Sequence, residues 1–157
     1  MTHVAVMGAG SWGTAYAKVL CDAGSSVRLW ARRPELAEAI NRTAHNPHYL
    51  SDVTLPAAVR ATADPAAALD GADTVVLALP AQLMRENLAA WVGLVAADAV
   101  YVSLAKGVEL PTLRRMSEVV HDVTGVGEGR IAVVTGPNLA REIALGQPWA
   151  TFVACTE

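Results

Sequence analysis

The run Met7-Gly8-Ala9-Gly10-Ser11-Trp12-Gly13 constrains this chain more than any other feature. It is a G-x-G-x-x-G pattern, and the pattern alone is a weak signal. Its setting strengthens it: an apolar run at 4–7 precedes the glycines, and a helical pattern with Ala15, Tyr16, Val19 and Leu20 follows, closed by Gly24. Strand, glycine turn and helix in that order are the context in which such a run holds a dinucleotide. Gly8 permits the tight turn, Gly10 lets a pyrophosphate approach the backbone, and Gly13 lets helix and strand pack closely. The N–H groups and positive dipole at the helix start then attract the phosphates. A tight turn with no ligand is the plainer alternative.

The same rhythm continues down the chain. Strand-like runs fall at 4–7, 27–30, 74–79, 99–104, 131–135 and 151–155, most of them continuously apolar, as strands covered on both faces are. Between them, Met84, Leu88, Trp91 and Val95 fall on one face of a helix, and Leu113, Met116, Val120 and Val123 repeat the pattern with Pro111 near its start. Leu36 and Ile40 mark a shorter helix opened by Pro34. The segment 43–63 breaks the rhythm and reads as a long loop with one short strand at 59–61. The expected class is α/β: a Rossmann-type, doubly wound, mainly parallel sheet with helices on both faces.

At 157 residues, 53% hydrophobic and 17% charged, the chain is one domain with a sizeable core, and disorder is excluded. A net charge of −3 argues against a nucleic-acid or anionic-membrane partner held by bulk charge. No apolar stretch is long enough to span a bilayer. Met1-Thr2-His3 enters the first apolar run without a basic leader, so a cytoplasmic address is expected. Cys21 and Cys155 lack metal or redox spacing and are expected as buried thiols in a reducing compartment. His3, His45, His48 and His121 have no ligand partners at metal spacing, so no metal site is expected.

Charge is informative where it is scarce. NAD-specific sites carry a carboxylate about 20 residues past the glycines. Here Trp30-Ala31-Arg32-Arg33 stands instead, and a guanidinium suits a 2′-phosphate, so NADP(H) is favoured over NAD(H). A solvated arginine pair at a strand end is the alternative. Only two lysines, Lys18 and Lys106, stand against ten arginines. Lys18 reads as an ordinary surface residue. Lys106 follows an apolar strand at its carboxyl end, where ligands of open α/β sheets bind, and could attract a phosphate or polarise a carbonyl. Pro80 ends another strand, so Ala81 and Gln82 would border the cofactor. Gly136-Pro137-Asn138 opens a helical run at 139–145 and reads equally as an anion or amide site and as a well-capped helix.

Taken together, these residues resemble one family. The run from Gly8 to Ala15 with Leu29-Trp30-Ala31-Arg32 is similar to the opening of the bacterial NAD(P)-dependent glycerol-3-phosphate dehydrogenases. Asn46-Pro47-His48-Tyr49-Leu50, Leu55-Pro56, Ala105-Lys106-Gly107 and the run from Gly136 to Glu142 match that family's later signatures, in order along the whole chain. The resemblance implies reversible reduction of dihydroxyacetone phosphate to sn-glycerol 3-phosphate, the precursor of the phospholipid backbone. By motif it implies that Ser11, Trp12, Arg32, Arg33, Tyr49, Lys106 and Ala140 contact the cofactor, beside Gly8, Gly10 and Gly13. It implies that Lys106, Gly136 and Asn138 contact the substrate. The family more often shows Ser or Thr where Asn138 stands.

The resemblance also implies a homodimer and a second, mostly helical domain that carries the general acid/base lysine beyond Glu157. On that expectation residues 1–157 are a dinucleotide-binding domain with no catalytic residue of their own, inactive alone. Two other readings compete. One is the cofactor half of another two-domain reductase, of the 3-hydroxyacid or ketopantoate type, against which Lys106 and Gly136 argue. The other is a free-standing NADP(H)-binding sensor module.

Overall fold

Strands that are apolar throughout must be covered on both faces, and that requirement sets the architecture. The structure, a computed structural model, describes residues 2–156. Its strands are β1 (His3–Met7), β2 (Ser26–Trp30), β3 (Val59–Thr62), β4 (Thr74–Leu77), β5 (Val100–Ser103), β6 (Ile131–Thr135) and β7 (Phe152–Ala154). They form one sheet in the order β3-β2-β1-β4-β5-β6-β7, parallel throughout except for the antiparallel β6–β7 pair. The helices are α1 (Ser11–Asp22), α2 (Pro34–Thr43), α3 (Pro65–Leu69), α4 (Met84–Trp91), α5 (Met116–Thr124) and α6 (Ala140–Ala144).

Alternate residues of each strand serve opposite layers. Val4, Val6, Val27, Leu29 and Val76 pack with Ala17 of α1 and with Leu36 and Ile40 of α2. Ala5, Met7, Val75 and Leu77 pack with Leu69 of α3, Met84 and Leu88 of α4, and Val119 and Val120 of α5. A smaller cluster joins Ala15 of α1 and Ala144 of α6 with Leu50 and Val53 of the 43–63 loop. The parallel register aligns Trp30 with Met7, Met7 with Leu77, Leu77 with Ser103, and Ser103 with Val133. With β3 parallel to β2 as well, all six parallel strands open their carboxyl ends onto one edge of the sheet, with the order reversing between β1 and β4.

Several elements differ from the sequence reading. β4 and β5 are shorter than the apolar runs at 74–79 and 99–104, because the chain turns away at the carboxyl edge. α4 stops at Trp91 and tightens into a 3-10 turn, Val92–Leu94, leaving Val95 to pack against the core from extended backbone. α5 starts at Met116, not near Pro111. Leu113 is left-handed at φ 56° and 72% exposed, so it belongs to a turn and not to the helix's apolar face. β7 is an edge strand with Phe152 and Val153 exposed, unlike the covered strands. Neither thiol is buried: Cys21 is half-buried on α1 and Cys155 is exposed.

The packing of α1 on β1 predicts a specific weakness. A methyl group on Gly13 would lie 1.9 Å from the Gly8 carbonyl oxygen and 2.9 Å from Ala78 Cβ, whereas one on Gly10 would meet nothing within 4 Å. Gly13→Ala is expected to cost about 3 kcal/mol or more by overpacking, and Gly10→Ala about 1 kcal/mol or less at its helix-cap position. Urea unfolding of both variants checks this, and equal losses would count against the close approach.

Candidate functional site

The glycine turn assembles from backbone contacts alone. Gly8 donates its N–H to Trp30 O at 3.2 Å, while Ala78 donates to Met7 O at 3.0 Å, so the turn is tied to the strands on both sides. Gly8 sits at φ 131°, and a Cβ there would lie 2.4 Å from Ala78 O. Gly10 caps α1 with no side-chain hydrogen bond and no acid in the first turn. The helix start is thus left for an outside anion, and the open space above Gly10 gives that anion access.

Above this turn lies a cleft of about 480 Å³. Gly8, Ala9 and Gly10 form its floor, Arg32, Arg33 and Tyr49 one wall, and Pro80 and Leu83 the opposite wall. The two arginines are exposed, as the end of β2 and the start of α2 require. Glu86 also borders the cleft on the α4 side, leaving its cationic end at the arginines. The size and mixed lining suit an elongated ligand with an apolar ring and phosphate charge.

The remaining candidates lie around this cleft rather than in it. Gly13 is buried beneath the turn. Ser11 opens α1. Trp12 faces away, edge-on to Tyr16 at 5.4 Å and to Trp149 at 6.0 Å, with its indole N–H buried and unpaired. Ala140 packs beside Trp12 in the α1–α6 cluster. Lys106 is exposed beyond the end of β5, between the β4 and β6 ends, and no ion pair engages it among the described residues. Gly136 at φ 143° turns the chain after β6 and brings the Asn138 N–H to its own carbonyl at 2.8 Å. Both polar atoms of the Asn138 side chain are buried without partners, a donor and an acceptor awaiting a polar group. α6 has only five residues, so the helix-start reading of 136–138 gives way to this amide.

Other site residues escaped the sequence reading. Asn46 is fully buried and donates to Ala9 O at 2.9 Å and Thr14 Oγ1 at 2.8 Å, while its Oδ1 accepts the His48 N–H at 3.2 Å. It fastens the Tyr49 loop to the glycine turn. The sequence marked it only as the first residue of the Asn46–Leu50 signature, before a proline in an irregular stretch, and gave it no role of its own. Glu109 is 8% exposed and takes a two-pronged contact from Arg85, Nε at 2.8 Å and Nη2 at 2.9 Å, plus the Thr112 hydroxyl at 2.5 Å. These donors, Arg85 foremost, lower its pKa from 4.5 to about 2. Nothing local in the sequence pairs residues 24 positions apart. The histidines stay clear of the cleft. His45 bonds within its loop, to Thr43 O and Thr54 Oγ1, and no metal-binding cluster occurs among the described residues.

A parallel sheet reversing at β1/β4, with an open glycine turn at that point, defines a Rossmann-like α/β domain. The chain belongs to the family described as NAD-dependent glycerol-3-phosphate dehydrogenase N-terminus, whose pattern matches residues 3–157. It is 60% identical over 162 residues to a glycerol-3-phosphate dehydrogenase (NAD(P)+) of Nocardia farcinica, covering 100% of this chain and 48% of that one. It is 63% identical over 151 residues to the protein of the same name from Streptomyces avermitilis, covering 96% and 45%. The chain thus spans about half the length of the curated relatives it matches. Among solved structures, glycerol-3-phosphate dehydrogenase of Coxiella burnetii superposes with a TM-score of 0.92 at 31% identity, over 99% of this chain and 47% of that one. A ketopantoate reductase of Ralstonia eutropha superposes less well, at 0.66 and 28% identity over 85% and 41%. The ketopantoate-type reading therefore gives way.

The Glu109 carboxylate makes acid stability a test of the geometry. Its folded pKa is below its unfolded one, so its contribution is complete above pH 4.5 and is lost as pH falls toward 2. Glu109→Gln should flatten the acid side of the stability curve across that window. Urea midpoints measured from pH 5 to pH 2 decide it, and identical slopes for parent and variant would count against the paired carboxylate.

Proposed function

We propose that this chain is the cofactor-binding half, residues 1–157, of an oxidoreductase that interconverts dihydroxyacetone phosphate and sn-glycerol 3-phosphate. The observation that carries the reading is the cleft in which an open Gly10, an uncapped α1 and the Arg32–Arg33 pair converge. The backbone of Gly8–Gly10 and the uncapped start of α1 would hold the pyrophosphate of a nicotinamide dinucleotide. Arg32 and Arg33 take a 2′-phosphate, which favours NADP(H) while leaving NAD(H) possible, and Tyr49 flanks the same wall. Ser11 and Ala140 complete the cofactor contacts from the α1 side, and Trp12, packed edge-on against Tyr16 and Trp149 with its indole N–H buried, backs them without reaching the cleft.

The reacting end lies further along the carboxyl edge. When bound, the reduced nicotinamide supplies a hydride. Lys106 sits between the cleft and Asn138 and holds the substrate's phosphate or carbonyl oxygen by charge. Gly136 gives close backbone approach, and Asn138 donates and accepts with an amide that has no other partner. No group in residues 1–157 is assigned the proton transfer, which falls to the other half of the full-length protein. The product is the precursor of the phospholipid backbone. No helix among the described residues is long and apolar enough to cross a membrane, and two free thiols fit the reducing cytoplasm proposed as its address.

Two measurements test this reading. Replacing Arg32 and Arg33 together by Ala should weaken NADPH binding by about 1 kcal/mol or more, with a smaller effect on NADH. Titration of both dinucleotides against the double variant reads this out, and equal losses would remove the 2′-phosphate assignment. The full-length natural chain should reduce dihydroxyacetone phosphate with NADPH, and Lys106→Ala should lower kcat/KM by about 100-fold or more while the protein stays folded. Near-normal turnover by the variant would return Lys106 to an ordinary surface lysine.

A further inference from the structure

Lys106 makes no ion pair of its own among the described residues, yet the backbone on either side of it is held. On the N-terminal side, Leu104 donates to Leu77 O at 3.0 Å, the last rung between β5 and β4. On the C-terminal side, Gln82 donates its amide to Val108 O at 2.8 Å and accepts the Leu110 N–H at 3.0 Å. Lys106 is therefore the middle residue of a span of only three, 105–107, between two anchored points. Gly107 closes the span at φ 96°.

The anchor on the far side is itself braced. Glu109 donates its N–H to Arg114 O at 2.9 Å and accepts from Leu113 N at 2.7 Å, closing residues 109–114 into a tight loop. Arg85 grips the Glu109 carboxylate with two nitrogens, and Thr112 adds a third donor. Asp122 of α5 joins Arg85 at 3.4 Å and also pairs with Arg114. A two-pronged guanidinium–carboxylate contact on a nearly buried acid fixes direction as well as distance. Gln82 and Arg85 belong to the turn and helix that follow Pro80, and Pro80 and Leu83 of the same segment wall the cleft. One continuous segment, 80–85, thus touches the proposed cofactor site with one side and the lysine's loop with the other.

We propose that Gln82, Arg85 and Glu109 are positioning residues that hold Lys106 over the substrate at a fixed distance from the cofactor cleft. This rests on the function proposed above. Contrary to the expectation that Ala81 and Gln82 border the cofactor, neither lines the cleft, and the Gln82 amide is spent on Val108 and Leu110. The clamp thus touches neither ligand and works only through the lysine, because an ammonium on a flexible stem gains direction from a fixed backbone. The Glu109 carboxylate stays ionised throughout the neutral range, so the clamp is constant where the enzyme works.

The experiment uses the full-length natural chain and steady-state reduction of dihydroxyacetone phosphate. Glu109→Ala and Gln82→Ala should each lower kcat/KM about fivefold or more. Gln82→Ala removes two exposed hydrogen bonds and no charge, so it decides the matter if Glu109→Ala does not fold. In a Lys106→Ala background the same substitutions should change kcat/KM by less than about twofold, since nothing remains for them to position. A loss below fivefold in either folded variant overturns the proposal. So do equal losses with and without Lys106, which would mark a merely structural role. A different result separates the parent reading: if the unmutated chain does not reduce dihydroxyacetone phosphate, or Lys106→Ala matches it, the proposed function falls and the clamp falls with it.

Discussion

The structure depends on how closely α1 crosses the end of β1. The space between the Gly8 carbonyl and the Gly13 Cα cannot hold a methyl group, so the bare Gly13 sets the height of the helix over the sheet, while the bare Gly8 lets the turn lie against Ala78. That height lets Ala15 and Ala17 bury fully and lets Thr14 point at Asn46. Asn46 in turn pulls the 43–63 loop across the turn and places Tyr49 on the cleft wall. The α6 segment then packs on α1 beside Leu50 and Val53. A wider crossing would lift α1, the loop and α6 together, and the uncapped helix start would no longer point along the floor of the cleft.

Much of this was legible in the sequence because it is local. The glycine spacing, the apolar runs and Pro34 at the start of α2 each report on contacts within one strand–turn–helix unit. Every expected strand formed, including the short β3 inside the loop. Legibility failed where tertiary contacts chose the outcome. Leu113 has helical spacing with Met116 and Val120, yet the Glu109–Arg114 loop takes it, at the cost of a left-handed backbone at a non-glycine residue. Val95 keeps its apolar role without the helix, because packing against the core does not need one.

The candidate site divided in the same way. Gly8, Gly10, Arg32, Arg33 and Tyr49 meet in one cleft because all lie just past the ends of β1 and β2 or on the loop that Asn46 fastens there. Lys106, Gly136 and Asn138 follow β5 and β6, one and two strands beyond β4, and so form a second cluster along the same edge. The sequence named them but could not give that separation, which is a property of strand order. Glu109 and Arg85 were invisible for a simpler reason. Each alone is an ordinary charged residue, and only the fold brings them to hydrogen-bond distance.

Charge placement carries the functional argument further than any motif. Among the described residues, most cations are occupied by structure: Lys18 with Asp22, Arg28 with the Ala67 and Asp70 carbonyls, Arg130 with Ala97 O, and Arg141 with Asp52. Arg85, Arg114 and Arg115 are held by Glu109, Asp122 and Glu118. Arg42 lies in the last turn of α2, where the helix dipole favours it, and Arg60 lies on an exposed position of the edge strand β3. The remaining three, Arg32, Arg33 and Lys106, all sit at the carboxyl edge of the sheet, with no side-chain acid bonded to them. In a chain of net negative charge, three cations with no acid bonded to them along one edge favour anions there. The charge has two centres, one at the end of β2 and one at the end of β5, and the function proposed above uses the first for the cofactor and the second for the substrate.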